Sequence, residues 1–288
     1  MIFVRVRSAY QIPLIVKGLD DLVPVLAGFV LPKFTAGSGL PYIEEVVAAS
    51  ASTGHHLYIM PVVESEEVMF QETRWPMLDG IKALLAQYRK HVLAVRIGAS
   101  DLCAVFGVRR SRDVTIYEVR MVADVISDIV NALGRAGDDG YVITGPVWEY
   151  FSSGERRLRP TLRQTPFMDH DESETRAWLM DQGLDGLIQE VVLDQVNGLT
   201  GKTVIHPTHV AAVHAMSVVS DEEFRDAQDI LGTELGSKGG VNRSTYRNKM
   251  NEGRPHRAWA ERVALRAEIF GVARPEISFA DLLTASIR

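Results

Sequence analysis

The sequence lacks paired cysteines. Its 288 residues contain one cysteine, Cys103. A single thiol excludes an internal disulfide framework, and no CxxC motif or paired Cys/His spacing indicates a structural zinc site. Free thiols are typical of a reducing compartment, so we expect the protein to be cytoplasmic.

The sequence also lacks long apolar runs and an excess of positive charge. No run approaches the about 18 apolar residues that span a bilayer, and the first residues show no signal-peptide pattern. The net charge is −6, from 31 basic and 37 acidic side chains. This balance argues against a protein that coats nucleic acid. We therefore predict neither a membrane nor a nucleic-acid partner.

Apolar segments of strand length recur along the chain, and helical patterns lie between most of them. The clearest helical pattern covers residues 115–134 and ends at Gly134. Strands that alternate with helices pair in parallel, which predicts an α/β fold. The six predicted strands are residues 2–8, 27–33, 56–65, 91–98, 141–147 and 202–207.

Two parallel architectures fit this alternation, a doubly wound sheet and a closed barrel. No G-x-G-x-x-G turn follows an early strand, which argues against a dinucleotide-binding sheet. Polar residues instead stand at many strand ends, where a barrel carries its chemistry. The distribution favours a TIM (β/α)8-type barrel, although such a barrel needs eight strands and we count six. These polar residues are Arg5, Lys33, Glu64, Asp101, Glu149 and His206.

The C-terminal region has a different pattern. Helical segments follow Pro207, and a glycine-rich polar stretch separates them from a last long helix. We predict a barrel domain at residues 1–216 and a helical extension at residues 217–288.

Two carboxylates are candidate metal ligands. Asp101 follows the strand that breaks at Gly98, and it would either cap the next helical turn or face a cation together with Glu64. If the two strands are neighbours, both acids lie at one rim and offer the oxygen ligands that Mg²⁺ prefers. Spacing alone leaves both interpretations open.

Other residues at the same rim are candidates for substrate binding. Gly98 and Ala99 are small, so backbone N–H groups there could approach an anion, or they could simply form a tight turn. Arg5 lies on an apolar strand, where a guanidinium needs an anion, either a substrate carboxylate or an internal acid. Arg96 has the same two interpretations.

The remaining candidates favour structural roles. We interpret His206 as a hydrogen-bonded structural residue and Cys103 as core. The arginines of residues 109–112 and 156–163 are interpreted as solvated loops, although they could grip phosphates. Asp169-His170-Asp171 is interpreted as a loop rather than a metal cluster.

Five motifs, in order, resemble those of the HpcH/HpaI aldolase and citrate lyase beta-subunit family, which are TIM-barrel carbon–carbon lyases. The resemblance implies a Mg²⁺ site, with Mn²⁺ as the alternative ion, formed by Glu64 and Asp101. It also implies that Arg5 binds the substrate carboxylate and that Gly98 and Ala99 lie beside it. The motifs are FVRVRS, FVLPK, MPVVES, RIGASDLCAVFG and GLTGKTVIHPTHV.

The tail and the first strand give two narrower expectations. The segment NRSTYRNKMNEGRPHRAWAERVALRAEIFGV is similar to a branch of the family associated with bacterial tellurite-resistance gene clusters. Family members carry two strands before the VRV block, so we expect a barrel that lacks its first two strands. Two open sheet edges and an apolar interior would require cover, so we expect a homo-oligomer.

The resemblance implies a Mg²⁺-dependent lyase or aldolase that cleaves a small carboxylate-bearing substrate, a 2-keto acid or a citrate- or malyl-like acid, through a metal-stabilised enolate. Citrate-lyase-like relatives often use coenzyme A thioesters, but no feature of the sequence indicates that ligand. The catalytic base is unassigned. The alternative is a catalytically impaired barrel that binds a metabolite or serves assembly in a stress response.

Overall fold

The computed structural model describes residues 2–151, 183–232, 241–246 and 248–287. The arginines of residues 156–163 and the Asp169-His170-Asp171 stretch lie outside these ranges. The chain forms two compact units, Met1–Glu149 with Val192–Thr203, and Tyr150–Val191 with Val204–Arg288. These units are defined by contacts, and the domain boundary expected after residue 216 stays a prediction.

The first unit contains six strands in one sheet, ordered as they occur along the chain. Each strand pairs in parallel with the next. The sheet curls into a half-barrel, so the α/β prediction of an incomplete barrel is confirmed. The strands are β1 (Ile2–Arg5), β2 (Leu26–Leu31), β3 (Tyr58–Val63), β4 (Val95–Ile97), β5 (Ile143–Val147) and β6 (Lys202–Thr203).

Helices connect most of these strands. Their inward faces are apolar, and the sheet and helices enclose a core in which residues such as Phe29, Ile59 and Ile129 are fully buried. Burying each such side chain stabilises the fold by about 1.5–3 kcal/mol. The helices are α1 (Gln11–Leu19), α2 (Gly39–Thr53), α3 (Gln71–Gln87), α4 (Ala99–Ala104), α5 (Arg120–Leu133) and α6 (Asp185–Val196), the last of which belongs to both units.

The helix predicted over residues 115–134 is divided. Thr115 and Glu118 form a capping box that closes a 3-10 turn at Ile116–Glu118, and α5 begins only at Arg120. Helical spacing predicts one buried face made of Ile116, Val119, Ala123, Ile126, Val130 and Leu133. Ile116, Ile126 and Leu133 are buried, whereas the other three are half-buried and Val122, Val125 and Ile129 are buried instead.

The start of the chain also differs from the prediction. The pattern LDDLVPVL at residues 19–26 predicts a helix, but Asp20–Val25 form a 3-10 turn, and the α-helix α1 precedes it. Pro24 lies inside the turn and has no N–H to donate to a preceding carbonyl, which opposes a continuous α-helix. Strand β1 ends at Arg5 rather than at residue 8, and β6 ends at Thr203 rather than at residue 207.

The described residues of the second unit form mainly helices, with a short antiparallel hairpin that was not predicted. Helices α8 and α9 pack around Val219, Ile230 and Val263. No helix in the described ranges is long and apolar enough to cross a bilayer. The elements are α7 (Thr208–Ser217), α8 (Asp221–Gly232), β7 (Val241–Arg243), β8 (Met250–Glu252), α9 (Gly253–Phe270) and α10 (Phe279–Ile287).

Candidate active site

A pocket of about 200 Å³ opens at the carboxyl ends of the parallel strands. Val62 of β3 is in register with Arg96 of β4, and side chains on a strand alternate between faces. Glu64 therefore shares its face with Val62, and Gly98 shares its face with Arg96. The polar residues that line the pocket are Arg5, Glu64, Arg96, Ser100, Asp101 and Thr203.

Glu64 is a buried carboxylate, with a relative exposure of 6%. Its Oε1 accepts a hydrogen bond from the backbone N–H of Lys33 at 2.8 Å and lies 3.6 Å from Nη2 of Arg5. Burial raises the pKa of Glu64 above its ordinary value, and the negative charge of Asp101 raises that pKa further. The Lys33 hydrogen bond and the charges of Arg5 and Lys33 oppose this rise without cancelling it.

The residue that donates this bond, Lys33, has an unusual backbone conformation. Its φ is +48°, in the left-handed region that a residue with a side chain rarely occupies. Such a conformation costs about 1–3 kcal/mol and is found most often at functional sites. The strain therefore adds to the evidence that the end of β2 serves the pocket.

Asp101 is not a helix cap. It is the third residue of α4, whose N-cap position is Gly98, and it lies in the first turn, where the helix dipole favours an acid. Its Oδ1 is 3.5 Å from Nζ of Lys33, and 43% of its side chain is exposed. Asp101 thus lines the same pocket as Glu64, and Lys33 contacts both acids, Glu64 through its backbone N–H and Asp101 through its Nζ.

Gly98 is needed to make room for Glu64. A Cβ atom at position 98 would overlap Oε2 and Cβ of Glu64 and lie 3.0 Å from its Cδ. The N–H of Gly98 donates to the carbonyl of Val63 at 3.1 Å, so it is not available to an anion. Ala99 is buried and is not among the residues that line the pocket. The carboxylate-binding role of Gly98 and Ala99 stays a prediction.

The two arginines differ in exposure. Arg5 was predicted to be a buried guanidinium, but 62% of its side chain is exposed because β1 ends there. Arg96 is partly buried, and its Nη2 donates to Oγ1 of Thr203 at 2.9 Å. Burial lowers the pKa of Arg96, the charge of Arg5 lowers it further, and Glu64 raises it. Sequence reasoning left Arg96 unassigned, although its two-residue spacing from Gly98 places both on one face of the strand.

Several other sequence candidates have structural roles. Arg110 is buried and pairs with Glu149 at 3.3 Å, so its interpretation as a solvated loop residue was wrong. Cys103 is buried, as predicted. His206 lies in the second unit, where its Nδ1 is 2.9 Å from Oγ1 of Thr208 and its ring stacks on Phe151.

The pocket's donor set is compatible with a hard cation. Among the described residues, no group of three or more His, Cys, Asp or Glu side chains is arranged to hold a metal. Mg²⁺, however, commonly binds through one or two carboxylates and completes its shell with water and substrate oxygens. Glu64 and Asp101 meet that smaller requirement.

Comparisons with known proteins agree with this architecture. A family model described as C-C bond lyase of the TIM-barrel fold matches residues 1–272. The crystal structure of protein CitE from Mycobacterium tuberculosis, in complex with magnesium, acetoacetate and coenzyme A, is similar in fold, with a TM-score of 0.51 and 17% sequence identity. The similarity covers 92% of this chain and 77% of that one. A comparison with curated proteins gave no match. Because the family model spans nearly the whole chain, this protein belongs to the C-C bond lyases of the TIM-barrel fold.

Proposed function

We propose that this lyase depends on Mg²⁺, with Mn²⁺ as an alternative ion, and that it cleaves a small carboxylate-bearing substrate, a 2-keto acid or a citrate- or malyl-like acid. Glu64 and Asp101 are the proposed ligands. The observation that carries the proposal is that these two acids, from different strand ends, line one pocket.

Electrostatics supports a cation between these acids. Glu64 is buried and Asp101 is close to it, so each negative charge opposes the other and the pKa of Glu64 rises. A divalent cation would relieve both the repulsion and the cost of burying Glu64. Since the structure of the CitE protein contains magnesium, that ion is the first one to test here.

The chain's own residues then have separate tasks. Bound Mg²⁺ would supply Lewis-acid stabilisation of the negative charge that develops on the keto oxygen as the carbon–carbon bond breaks. Arg5, exposed at the end of β1, presents a guanidinium fork that suits a substrate carboxylate. Lys33 orients Glu64 through its backbone N–H. The solved CitE structure also contains coenzyme A, so a coenzyme A thioester should be tested beside the free acids.

Calorimetric titration of Mg²⁺ into the purified protein tests the metal site. We expect Glu64→Gln and Asp101→Asn each to weaken Mg²⁺ binding by at least about 10–100-fold, since even residues that only support metal ligands have effects of that size. Glu66→Gln is the matched control, because Glu66 is an exposed acid two residues beyond Glu64. Its Mg²⁺ affinity should equal that of the unmodified protein.

Turnover is measured in the same preparations with 2-keto acids, citrate- and malyl-like acids and their coenzyme A thioesters. Metal-stimulated cleavage that is lost in both ligand variants and kept in Glu66→Gln supports the proposal. Metal-stimulated cleavage that survives in both ligand variants would contradict it. Binding of metal and acid without cleavage would favour the metabolite-binding alternative.

A further inference from the structure

Ser100 contacts a carboxylate that the proposed reaction does not use. Ser100 is exposed, lines the pocket and is next to Asp101 in the sequence. Its Oγ donates a hydrogen bond to Oε1 of Glu149, which follows the last residue of β5 by two positions. Glu149 is not among the residues that line the pocket, so we expect it to act on a ligand there through Ser100.

A buried arginine holds Glu149 in this position. Nε of Arg110 lies 3.3 Å from Oε2 of Glu149, and only 1% of the Arg110 side chain is exposed. Nη2 of Arg110 donates to the carbonyl of Val147, and Cζ lies 5.0 Å from the centroid of the Trp148 ring. Both carboxylate oxygens of Glu149 are therefore in use, one with Arg110 and the other with Ser100.

This arrangement fixes the direction of the Ser100 hydroxyl. A serine hydroxyl has one hydrogen to donate and two lone pairs that accept, whereas a carboxylate only accepts. Glu149 faces the guanidinium of Arg110 as a carboxylate, so the hydrogen between Glu149 and Ser100 belongs to Ser100. Within the described ranges, Oγ of Ser100 has no other hydrogen-bond partner. Its lone pairs are therefore available to the pocket, and its hydrogen is not.

An oxygen that can only accept selects for a group that donates. The carboxylates of the proposed substrates accept, whereas the hydroxyl group of a citrate- or malyl-like acid also donates. We propose that Ser100 accepts a hydrogen bond from the substrate hydroxyl, and that Glu149 is the positioning residue that holds Ser100 in this role. The inference rests on the proposed function for the location of the substrate. Of the two substrate classes named there, it favours the hydroxy acids over the 2-keto acids.

Calorimetry with matched acids tests this inference on the whole chain. Malate, succinate and oxaloacetate share one dicarboxylate skeleton, and the carbon beside one carboxylate carries a hydroxyl in malate, no substituent in succinate and a keto oxygen in oxaloacetate. Citrate and tricarballylate differ as malate and succinate do. We expect malate and citrate to bind at least about threefold more tightly than the acids without the hydroxyl, within the range of a neutral hydrogen bond.

Ser100→Ala locates the preference, because it removes the accepting oxygen. We expect this variant to bind malate and succinate equally, with succinate binding changed by less than about twofold. Ser127→Ala is the matched control, since Ser127 donates to the carbonyl of Ala123 on α5 and does not line the pocket. The control should keep the preference of the unmodified protein.

Glu149→Gln should reverse the hydroxyl of Ser100. Arg110 only donates, so it retains the amide oxygen and leaves the NH₂ group facing Ser100. Ser100 then accepts from this amide and turns its hydrogen toward the pocket. We expect this variant to bind oxaloacetate more tightly than malate, the opposite of the unmodified protein. In Ser100→Ala, adding Glu149→Gln should leave both preferences unchanged, since the positioning residue acts through Ser100.

Three results would overturn the inference. The first is no acid binding, or no hydroxyl preference, in the unmodified protein. The second is a preference that survives Ser100→Ala, or a folded Glu149→Gln protein with an unchanged preference. The third is a preference that is absent in EDTA together with weaker Mg²⁺ binding by Ser100→Ala, which would give Ser100 a role at the metal instead.

Two measures keep the outcome decisive. If Glu149→Gln does not fold, as judged by circular dichroism, Ser100→Ala decides the question, since helices accept alanine readily. Titrations in EDTA separate this inference from the proposed metal site. A hydroxyl preference that persists in EDTA and is lost in Ser100→Ala supports the role of Ser100 even if Mg²⁺ does not bind.

Discussion

Glu64 is held in surroundings that oppose its ionisation. Burial and the charge of Asp101 raise its pKa in the folded protein. The folded state therefore holds the proton more tightly than the unfolded state. Below the pKa of Glu64 in the unfolded chain, this proton stabilises the folded state fully. The stabilisation is lost as the pH rises through the higher pKa of Glu64 in the folded protein.

Replacing Glu64 should consequently stabilise the metal-free protein. In EDTA at neutral pH, we expect Glu64→Gln to melt at a higher temperature than the unmodified protein, and the difference should shrink as the pH falls below the folded pKa. Mg²⁺ should raise the melting temperature of the unmodified protein alone, because a ligand stabilises only a state that binds it. Calorimetric scans from neutral pH to a pH below the pKa of Glu64 in the folded protein measure both effects. A variant that is less stable in EDTA at neutral pH would contradict the argument.

Gly98 should tolerate no side chain. A Cβ atom there would overlap Glu64, so we expect Gly98→Ala to destabilise the fold by about 1–3 kcal/mol, as overpacking does, and to weaken Mg²⁺ binding. Urea unfolding measures the loss. In a Glu64→Gly background the substitution should cost much less, since Oε2 and Cβ, the two atoms of Glu64 that would overlap, are both gone.

Gly18→Ala is the control for this substitution. Gly18 lies in α1, and a Cβ atom there would meet nothing within 4 Å. Alanine should stabilise this helix by up to about 1 kcal/mol. A Gly98→Ala protein as stable as the unmodified one would refute the steric argument.

At the residue scale, the sequence predicted the position of the two acids at one rim better than it predicted the exposure of the arginines, while the roles of these residues stay predictions. Glu64 and Asp101 follow strands, and parallel strands bring their carboxyl ends to one rim whatever their exact lengths. The exposure of Arg5 depends on where β1 stops pairing, and the direction of Arg96 depends on which face of β4 is concave. Neither property can be obtained from the alternation of apolar and polar residues in one segment alone.

At the scale of secondary structure, the existence of the six strands was predictable and their ends were not. Apolar runs identify strands, but the end of a strand is set by where hydrogen bonding to the neighbouring strand stops. The sequence of one segment does not show that position. The turn at Asp20–Val25 shows a second limit, because its apolar residues fit a helical spacing while Pro24 opposes the helix. Here local chain chemistry outweighs the hydrophobic pattern.

Strand β6 is joined to α6 by a buried ion pair. Nζ of Lys202 lies 2.8 Å from Oδ2 of Asp194, and both side chains are almost completely buried. The hydroxyl of Tyr117 donates to Oδ1 of the same aspartate at 2.7 Å. Removing one member of such a pair leaves the other charge buried, and that charge costs more than the pair itself contributes.

We expect Asp194→Asn to destabilise the protein by about 3–5 kcal/mol, the usual cost of breaking a buried pair. The control is Asp124→Asn, since Asp124 pairs with Arg120 at 3.0 Å on an exposed face of α5. That change should cost no more than about 0.5 kcal/mol. Urea unfolding compares the two, and similar losses would show that burial does not determine the effect.

At the scale of the whole molecule, the half-barrel has two outer strands. In the described part of the chain, β1 pairs with β2 and β6 pairs with β5, so each outer strand has one neighbour in the sheet. Unpaired backbone groups along a strand favour association with another chain. Homo-oligomer formation, cytoplasmic location and the link to tellurite-resistance clusters stay predictions.

Sedimentation at several protein concentrations tests self-association. Ile2 lies on β1 and is 56% exposed, so Ile2→Lys should shift the protein toward the monomer by placing a charge on that edge. Met121→Lys, on the first turn of α5, adds the same charge away from the sheet edge and should leave the distribution unchanged. A monomer at every concentration, or identical behaviour of both variants, would refute the prediction.

The left-handed backbone at Lys33 has a consequence for substitutions at that position. The group that orients Glu64 belongs to the main chain, so exchanging the side chain at position 33 does not delete the bond. Glycine or asparagine would accept the positive φ, whereas a β-branched residue would resist it. A substitution at position 33 would therefore change the charge beside Asp101 and leave the main-chain hydrogen bond to Glu64 in place.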